Sequence, residues 1–173
     1  MTQRTSPQDS QPRPPTGATH ADYSGAVYGS LLAASVVAGA GTLGSLPRLE
    51  LALLLLCTGV VFWAAHVFSR LFGARMVRQS LSWKQVRRVC AGERPIVEAA
   101  VPPAAAVAIS PLLGLGVPGA AWLALAVALA EQVGWASLAA VRAGASVRLT
   151  VLAGTVNLLL GLVIVVLKVS LHH

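Results

Sequence analysis

The stretch LALLLLCTGVVFWAAHVFSRLF, residues 51–72, contains no Asp, Glu, Lys or Arg before Arg70. About 20 predominantly apolar residues in a helix span the hydrocarbon core of a bilayer. The stretch therefore predicts a transmembrane helix, and Arg70 is expected to anchor its end at the lipid headgroups. His66 lies one turn deeper, where a histidine binds a metal, relays a proton or packs as a satisfied core residue.

Apolar runs of similar length recur on both sides of this stretch, at residues 23–46, 96–115, 120–141 and 147–169. The chain is 55% hydrophobic and 11% charged, whereas soluble domains have about 25% charged residues. The sequence therefore predicts an all-α fold, in which residues 23–173 form a polytopic membrane bundle of five transmembrane helices.

The third run is interrupted by prolines. Pro102 and Pro103 are tolerated near the start of a helix, because the first N–H groups of a helix lack intrahelical partners. Pro111 lies further along the run and is expected to kink it.

The region before the first run, residues 1–22, is rich in Pro, Gln, Thr and Ser and is expected to be a disordered cytoplasmic tail. Residues 38–40 read AGA, which resembles a signal-peptide cleavage site. Cleavage there would leave four helices, but the apolar run continues past the site, so we expect the first helix to be retained. Gly25 and Gly29 form a GxxxG spacing that lets another helix approach closely, and we expect this face to form a dimer interface.

Positive charge is distributed unevenly between the ends of the predicted helices. With five spans, 11 of the 13 Lys and Arg residues lie on the side of the N-terminal tail. Basic loops mark the cytoplasmic side, so the sequence predicts an N-in/C-out orientation. Arginine outnumbers lysine 11 to 2 and alanine is abundant, which indicates a GC-rich bacterial genome and hence a multi-pass protein of the bacterial cytoplasmic (inner) membrane.

The segment 73–95 joins the second and third runs and is predicted to be a basic cytoplasmic helix lying in the membrane interface. A basic amphipathic helix at this position binds anionic lipid headgroups, so we expect the lipid bilayer to be its partner and expect no nucleic acid. The basic residues of this membrane surface are Arg70, Arg75, Arg78, Lys84, Arg87 and Arg88.

Polar residues inside the predicted spans form the candidate site, because ionisable groups in a membrane are costly and mark function by default. The set is Glu131, His66, Asn157, Glu98 and Tyr28. At 1.5 Å rise per residue, all five lie between the cytoplasmic edge and roughly the midplane. Lys168 lies near the opposite edge and is expected to extend to the headgroups there.

Glu131 is the most exceptional member, since LALAVALAEQVGWASLAA, residues 123–140, surrounds one carboxyl group with apolar side chains. One interpretation makes it a proton or cation site. The other makes it a protonated group hydrogen-bonded to Asn157, His66 or Tyr28, which joins helices. Asn157 lies between Gly154 and Gly161, a pattern that favours interhelical packing.

Enzymatic signatures are absent from the sequence, which has no HExxH, GxSxG or Walker motif. Cys57 and Cys90 have no metal-binding or redox spacing, and nothing predicts a cofactor. We therefore expect a protein that is not an enzyme. Two functions stay open: a small transporter or channel for protons or cations, and a non-transporting scaffold or regulatory subunit with structural polar residues.

Three small-residue patterns resemble the vacuolar-iron-transporter-like family of five-span membrane proteins. They are GAVYGSLLAASVVAGAG (25–41), PLLGLGVPGA (111–120) and RAGASVRLTVLAGTVNLLLG (142–161). The resemblance implies five helices that form a homodimer. That family has an acidic residue in its first helix, and a carboxylate and a methionine in its second. This chain has Tyr28 and no acid in its first helix and His66 in its second, so the resemblance implies no metal-site residues.

Overall fold

The computed structural model describes residues 23–40, 46–76 and 82–170. These residues form helices joined by turns, and no strand occurs among them. The helices are α1 (Tyr23–Ala40), α2 (Arg48–Met76), α3 (Trp83–Gly92), α4 (Arg94–Glu98), α5 (Val101–Ile109), α6 (Val117–Arg142) and α7 (Val147–Ser170), with a 3₁₀ turn at Ser110–Leu113. The predicted disordered tail at 1–22, residues 41–45 of the first predicted span, and Arg78 lie outside the described residues.

Five helical segments in the described part of the chain are long and apolar enough to cross a bilayer. They are α1, α2, the interrupted segment Trp83–Leu113, α6 and α7. The predicted all-α membrane bundle of five spans is therefore confirmed. The N-in/C-out orientation stays a prediction from the distribution of charge.

The observed helices extend beyond the predicted apolar runs. α2 begins at Arg48, directly after Pro47, and the Leu51 N–H donates to the Pro47 carbonyl 3.0 Å away. It continues beyond Phe72 to Met76, because Ala74, Arg75 and Met76 all have high helix propensity. α6 begins at Val117 with Pro118 in its first turn, where the missing N–H has no cost.

The third span is broken where the prolines require it. Pro102 and Pro103 lie in the first turn of α5, as the sequence predicts, and neither can donate a hydrogen bond to the α4 turn before it. The prediction that Pro111 kinks a continuing helix is wrong. α5 ends at Ile109, and Pro111 belongs to a 3₁₀ turn that closes at Gly114 with φ of 69°, a conformation that favours glycine.

α1 is the central helix of the bundle and packs against α2, α4, α6 and α7. The core lies between α1, α2, α5 and α6, and most of its members are alanines, which allow these helices to approach closely. α7 lies against α1 and α6 on the outside of the bundle, and only Gly154, Gly161 and Lys168 of this helix are buried. Most of its Leu and Val side chains are therefore exposed on the outside of the bundle.

The GxxxG face of α1 packs inside the chain, so the prediction that it forms a dimer interface is wrong. A Cβ atom at Gly29 would lie 2.8 Å from the Ile96 carbonyl oxygen, and one at Gly25 would lie 3.5 Å from Ile96 Cγ1. On the other side, a Cβ at Gly59 of α2 would lie 2.9 Å from Ala100 Cβ. The third span thus passes between the glycines of α1 and Gly59 of α2. A homodimer stays a prediction and would need another surface.

Candidate functional site

The polar centre of the α6–α7 interface is Gln132, whose side chain is fully buried. Its Nε2 donates to the Asn157 backbone carbonyl at 3.1 Å and to Asn157 Oδ1 at 3.3 Å. Asn157 Nδ2 in turn donates to the Ala153 carbonyl at 3.0 Å. Gly161 allows the close approach, because a Cβ there would lie 2.5 Å from Leu129 Cδ2. Asn157 therefore joins two helices, with Gln132 as its partner.

Glu131 lies beside Gln132 in sequence but does not share its contacts. Successive helical residues point about 100° apart, so the two side chains leave α6 in different directions. Glu131 is half-buried, and its Oε2 is buried with no hydrogen-bond partner among the described residues. The expected bond from Glu131 to Asn157, His66 or Tyr28 is therefore not formed at this oxygen.

His66 and Tyr28 meet at the α1–α2 interface, with ring centroids 5.1 Å apart. His66 Nδ1 lies 3.0 Å from the Phe62 carbonyl oxygen one turn earlier, which accepts a hydrogen bond when Nδ1 carries a proton. Phe62 also packs edge-on against Tyr28, with ring centroids 6.4 Å apart. The histidine thus belongs to a small aromatic cluster between two helices.

The predicted polar set is divided by α1. Tyr28 and His66 lie on the α2 side of that helix, whereas Glu131 and Asn157 belong to α6 and α7. α2 makes no substantial contact with α6 or α7. Glu98 is exposed at the end of α4. The structure therefore brings together two pairs, Tyr28 with His66 and Gln132 with Asn157, and not a single cluster of five.

α3 is fixed to α2 by two side-chain contacts. Trp63 Nε1 donates to the Cys90 carbonyl at 3.1 Å, and Arg70 forms an ion pair with Glu93 at 2.5 Å. Glu93 is 6% exposed and Arg70 is 57% exposed, so the ion pair lies at the edge of the bundle. Arg70, which the sequence assigned to the headgroups alone, also holds α3 in place.

The basic surface of α3 is directed away from the bundle. Lys84, Arg87 and Arg88 are exposed, and Trp83 at the start of the helix is 73% exposed. Ser82 caps α3 by accepting a hydrogen bond from the Gln85 N–H at 3.2 Å. We use the name basic face for Lys84, Arg87 and Arg88. Arg75, in the last turn of α2, is also exposed.

Lys168 is the polar residue that sequence reasoning placed wrongly. It is buried, its Nζ donates to the Val37 carbonyl at 3.0 Å, and it lies 5.6 Å from the Trp122 ring centroid. At the same end of the bundle, Arg48 donates to the Leu115 carbonyl. Lys168 therefore connects α7 to α1 and does not extend outward as expected, while Arg48 connects α2 to the loop before α6.

Metal-binding groups are not assembled in the structure. Within residues 23–40, 46–76 and 82–170, no group of three or more His, Cys, Asp or Glu side chains is placed to hold a metal ion.

Comparison with known proteins adds no further information, because no protein-family model, curated protein or solved structure matches the chain. The resemblance to the vacuolar-iron-transporter-like family therefore stays a prediction.

The Arg70–Glu93 ion pair can be tested through the thiol of Cys90, which is half-buried in α3. In a Cys57→Ser background, Arg70→Gln should leave Glu93 without its ionic partner and loosen α3 from α2. The half-exposed ion pair should contribute about 0.5–1.5 kcal/mol to the packing of α3 on α2. Its loss should therefore make Cys90 react with a maleimide roughly two- to tenfold faster.

Arg75→Gln is the matched control, because Arg75 is an exposed arginine of the same helix and its loss should leave the Cys90 labelling rate unchanged. Equal labelling rates in the Arg70 and Arg75 variants would show that the ion pair does not hold α3.

Proposed function

We propose that this chain is a non-enzymatic scaffold or regulatory subunit of the bacterial cytoplasmic membrane, oriented N-in/C-out. In this proposal its intramembrane polar residues join its own helices, and its basic face is presented at the inner surface. The proposal rests on the hydrogen-bond partners of the polar side chains, because several of them bond to a neighbouring helix of the same chain.

Polar contacts of this kind join four pairs of helices. Gln132 bonds α6 to α7, Lys168 bonds α7 to α1, and Trp63 bonds α2 to α3. Arg142 donates to the Tyr23 hydroxyl at 2.6 Å and so joins α6 to α1. Such bonds in membranes contribute about 0.6 kcal/mol each on average. Together with glycine-mediated packing they favour a fixed arrangement of helices.

The basic face supports the second half of the proposal. α3 is held against α2 by Trp63 and Arg70, so its cationic side chains are presented in a defined position. A basic helix at the cytoplasmic surface attracts anionic headgroups at about 1 kcal/mol per Lys or Arg. The same charges suit a partner protein with an acidic surface at the membrane.

One observation favours transport as a second candidate function. The buried Glu131 Oε2 has no hydrogen-bond partner in the part of the chain that the structure describes. A buried carboxyl oxygen without a partner is available to accept a proton or contact a cation, and ionisable groups inside membrane spans mark such pathways. In this alternative Glu131 is the titrating group of a proton or cation pathway.

Glu131→Gln separates the two functions, because it keeps the shape of the side chain and removes its titration. If the protein is a scaffold, liposomes containing the wild type and the variant should show the same proton and cation flux as protein-free liposomes. The same Glu131→Gln protein should retain the wild-type partners that are cross-linked in native membranes, whereas replacing Lys84, Arg87 and Arg88 with Gln should lose them.

Glu50→Gln is the control for loss of an acidic group, since Glu50 is exposed in the first turn of α2. Wild-type flux above the protein-free level that is abolished by Glu131→Gln and kept by Glu50→Gln would establish transport in place of the scaffold.

A further inference from the structure

An open groove of about 370 Å³ lies between α2 and α4. Its lining residues are Val60, Trp63, Arg94, Val97 and Glu98. Small-molecule sites in proteins are usually concave, largely apolar and about 300–1,000 Å³ in volume, with a few polar groups that fix orientation. This groove is shallower and more open, but it likewise combines apolar walls with two charged side chains on the outside of the bundle.

The position of the groove relates it to the edge of the membrane. Trp63 forms part of its wall and also donates its indole N–H to Cys90 of α3, so one end of the groove lies at the amphipathic interfacial helix. From there it follows α2 towards Val60, which is 48% exposed within the apolar span. The groove therefore runs from headgroup level into the hydrocarbon region, as a phospholipid does.

Its two charged residues have opposite signs and share one face of α4. Arg94 and Glu98 are separated by four residues, or roughly 6 Å of helix rise. Both are exposed, and neither forms an ion pair or hydrogen bond with another described residue. An i, i+4 pair of opposite charge commonly interacts on a helix. Here both charges remain available to a ligand that carries an anion and a cation a few ångströms apart.

We propose that this groove binds one phospholipid whose headgroup carries a phosphate and a primary ammonium. The Arg94 guanidinium donates to the phosphate oxygens, and the Glu98 carboxylate accepts from the ammonium N–H groups. One acyl chain lies along Val60, Trp63 and Val97. Phosphatidylethanolamine has this chemistry. Phosphatidylcholine has a quaternary ammonium without N–H groups, and phosphatidylglycerol has no cation.

The groove is independent of the basic face and of the proposed scaffold function. The basic face carries only positive charges and selects lipids by net negative charge. The groove pairs one positive with one negative residue and selects by headgroup structure. The two sites therefore favour different lipids in one bilayer, and this difference makes the proposal testable.

The test is lipid retention by the full chain, measured by native mass spectrometry after incubation with equal amounts of phosphatidylethanolamine, phosphatidylcholine and phosphatidylglycerol. With Lys84, Arg87 and Arg88 replaced by Gln to remove the basic face, the chain should retain one phosphatidylethanolamine in preference to the other two, and the groove variants are made in this background. Glu98→Gln should reduce this preference over phosphatidylcholine roughly tenfold, the effect of one charge-assisted hydrogen bond. Arg94→Gln should reduce retention of both lipids at this site, and Val60→Trp should do so by filling the groove.

Glu50→Gln and Arg148→Gln are the matched controls, because each removes one exposed charge outside both the groove and the basic face. Both should keep the preference for phosphatidylethanolamine, and thermal unfolding in detergent identifies any variant that is misfolded. Retention that is unaffected by Glu98→Gln and Arg94→Gln would overturn the proposal, as would a preference for phosphatidylglycerol in the chain that lacks the basic face. Displacement of the lipid by soluble glycerophosphoethanolamine at equal concentration would assign the site to a free phosphate compound and overturn the lipid as ligand.

Discussion

Gly29→Ala is expected to lower the free energy of unfolding by about 1–3 kcal/mol, the usual cost of overpacking a tight interface. The added methyl group would lie 2.8 Å from the Ile96 carbonyl oxygen and 2.9 Å from Ala99 Cβ. Ile96 lies in α4 and Ala99 directly follows that helix, so the clash cannot be relieved by moving the end of a flexible side chain. Alanine has a better helix propensity than glycine, so a decrease in stability would be caused by the steric clash and not by the helix preference of the new residue. Reversible unfolding in mixed micelles, followed by tryptophan fluorescence, measures it.

Gly134→Ala is the matched control, because it adds the same methyl group to α6 at a position with no heavy atom within 4 Å. Its unfolding free energy should stay at the wild-type value or rise by up to about 1 kcal/mol, the helix-propensity difference between glycine and alanine. Similar stabilities of the two alanine variants would contradict the close packing of α1 against α4.

The same glycine shows how far sequence reasoning extends in this fold. The spacing of Gly25 and Gly29 predicts that some helix approaches α1 closely, and one does. The identity of that helix could not be predicted, because Ile96 is distant in sequence and the segment 96–100 has no distinctive pattern. A GxxxG face fits a second copy as well as a later part of the same chain. The number of spans follows from hydropathy alone, whereas the choice of which spans contact each other depends on side-chain packing.

The polar residues illustrate a second limit. Counting residues places Glu131 and Asn157 at similar depths, but it does not give the direction in which each side chain leaves its helix. Depth alone therefore makes Glu131 one possible partner of Asn157, whereas the structure pairs Asn157 with Gln132. The sequence does contain a signal for the correct residue. Gln132 continues a series of alanines spaced four residues apart along α6, and every member of the series is buried: Ala120, Ala124, Ala128, Gln132 and Ala136.

Lys168 makes an electrostatic contact that the sequence does not predict. The Val37 carbonyl belongs to the last described turn of α1, and the C-terminal end of a helix is the negative end of its dipole. Lys168 Nζ donates to this oxygen at 3.0 Å and lies 5.6 Å from the Trp122 ring centroid. A cation at the end of α7 thus stabilises the end of α1, and the ring of α6 adds a cation–π contact.

Lys168→Glu is therefore expected to lower the free energy of unfolding by about 3–5 kcal/mol, the cost of a buried charge without compensation. The new carboxylate would face the Val37 carbonyl oxygen in place of a donor. Lys168→Met keeps the length of the side chain and loses the hydrogen bond and the cation–π contact, so we expect a loss of about 1–2 kcal/mol. Unfolding in mixed micelles gives both values, and limited proteolysis reports whether α7 detaches first.

Lys84→Glu is the matched charge reversal at an exposed position of α3, and its unfolding free energy should stay within about 0.5 kcal/mol of the wild type. The order of the three variants distinguishes the two orientations of Lys168. A side chain buried against α1 requires Lys168→Glu to destabilise more than Lys168→Met, and both to destabilise more than Lys84→Glu. A side chain extended to the headgroups would make all three variants nearly equal in stability, because water and lipid phosphates solvate the end of a long side chain at the membrane surface. That equality would contradict the contact between α7 and the end of α1.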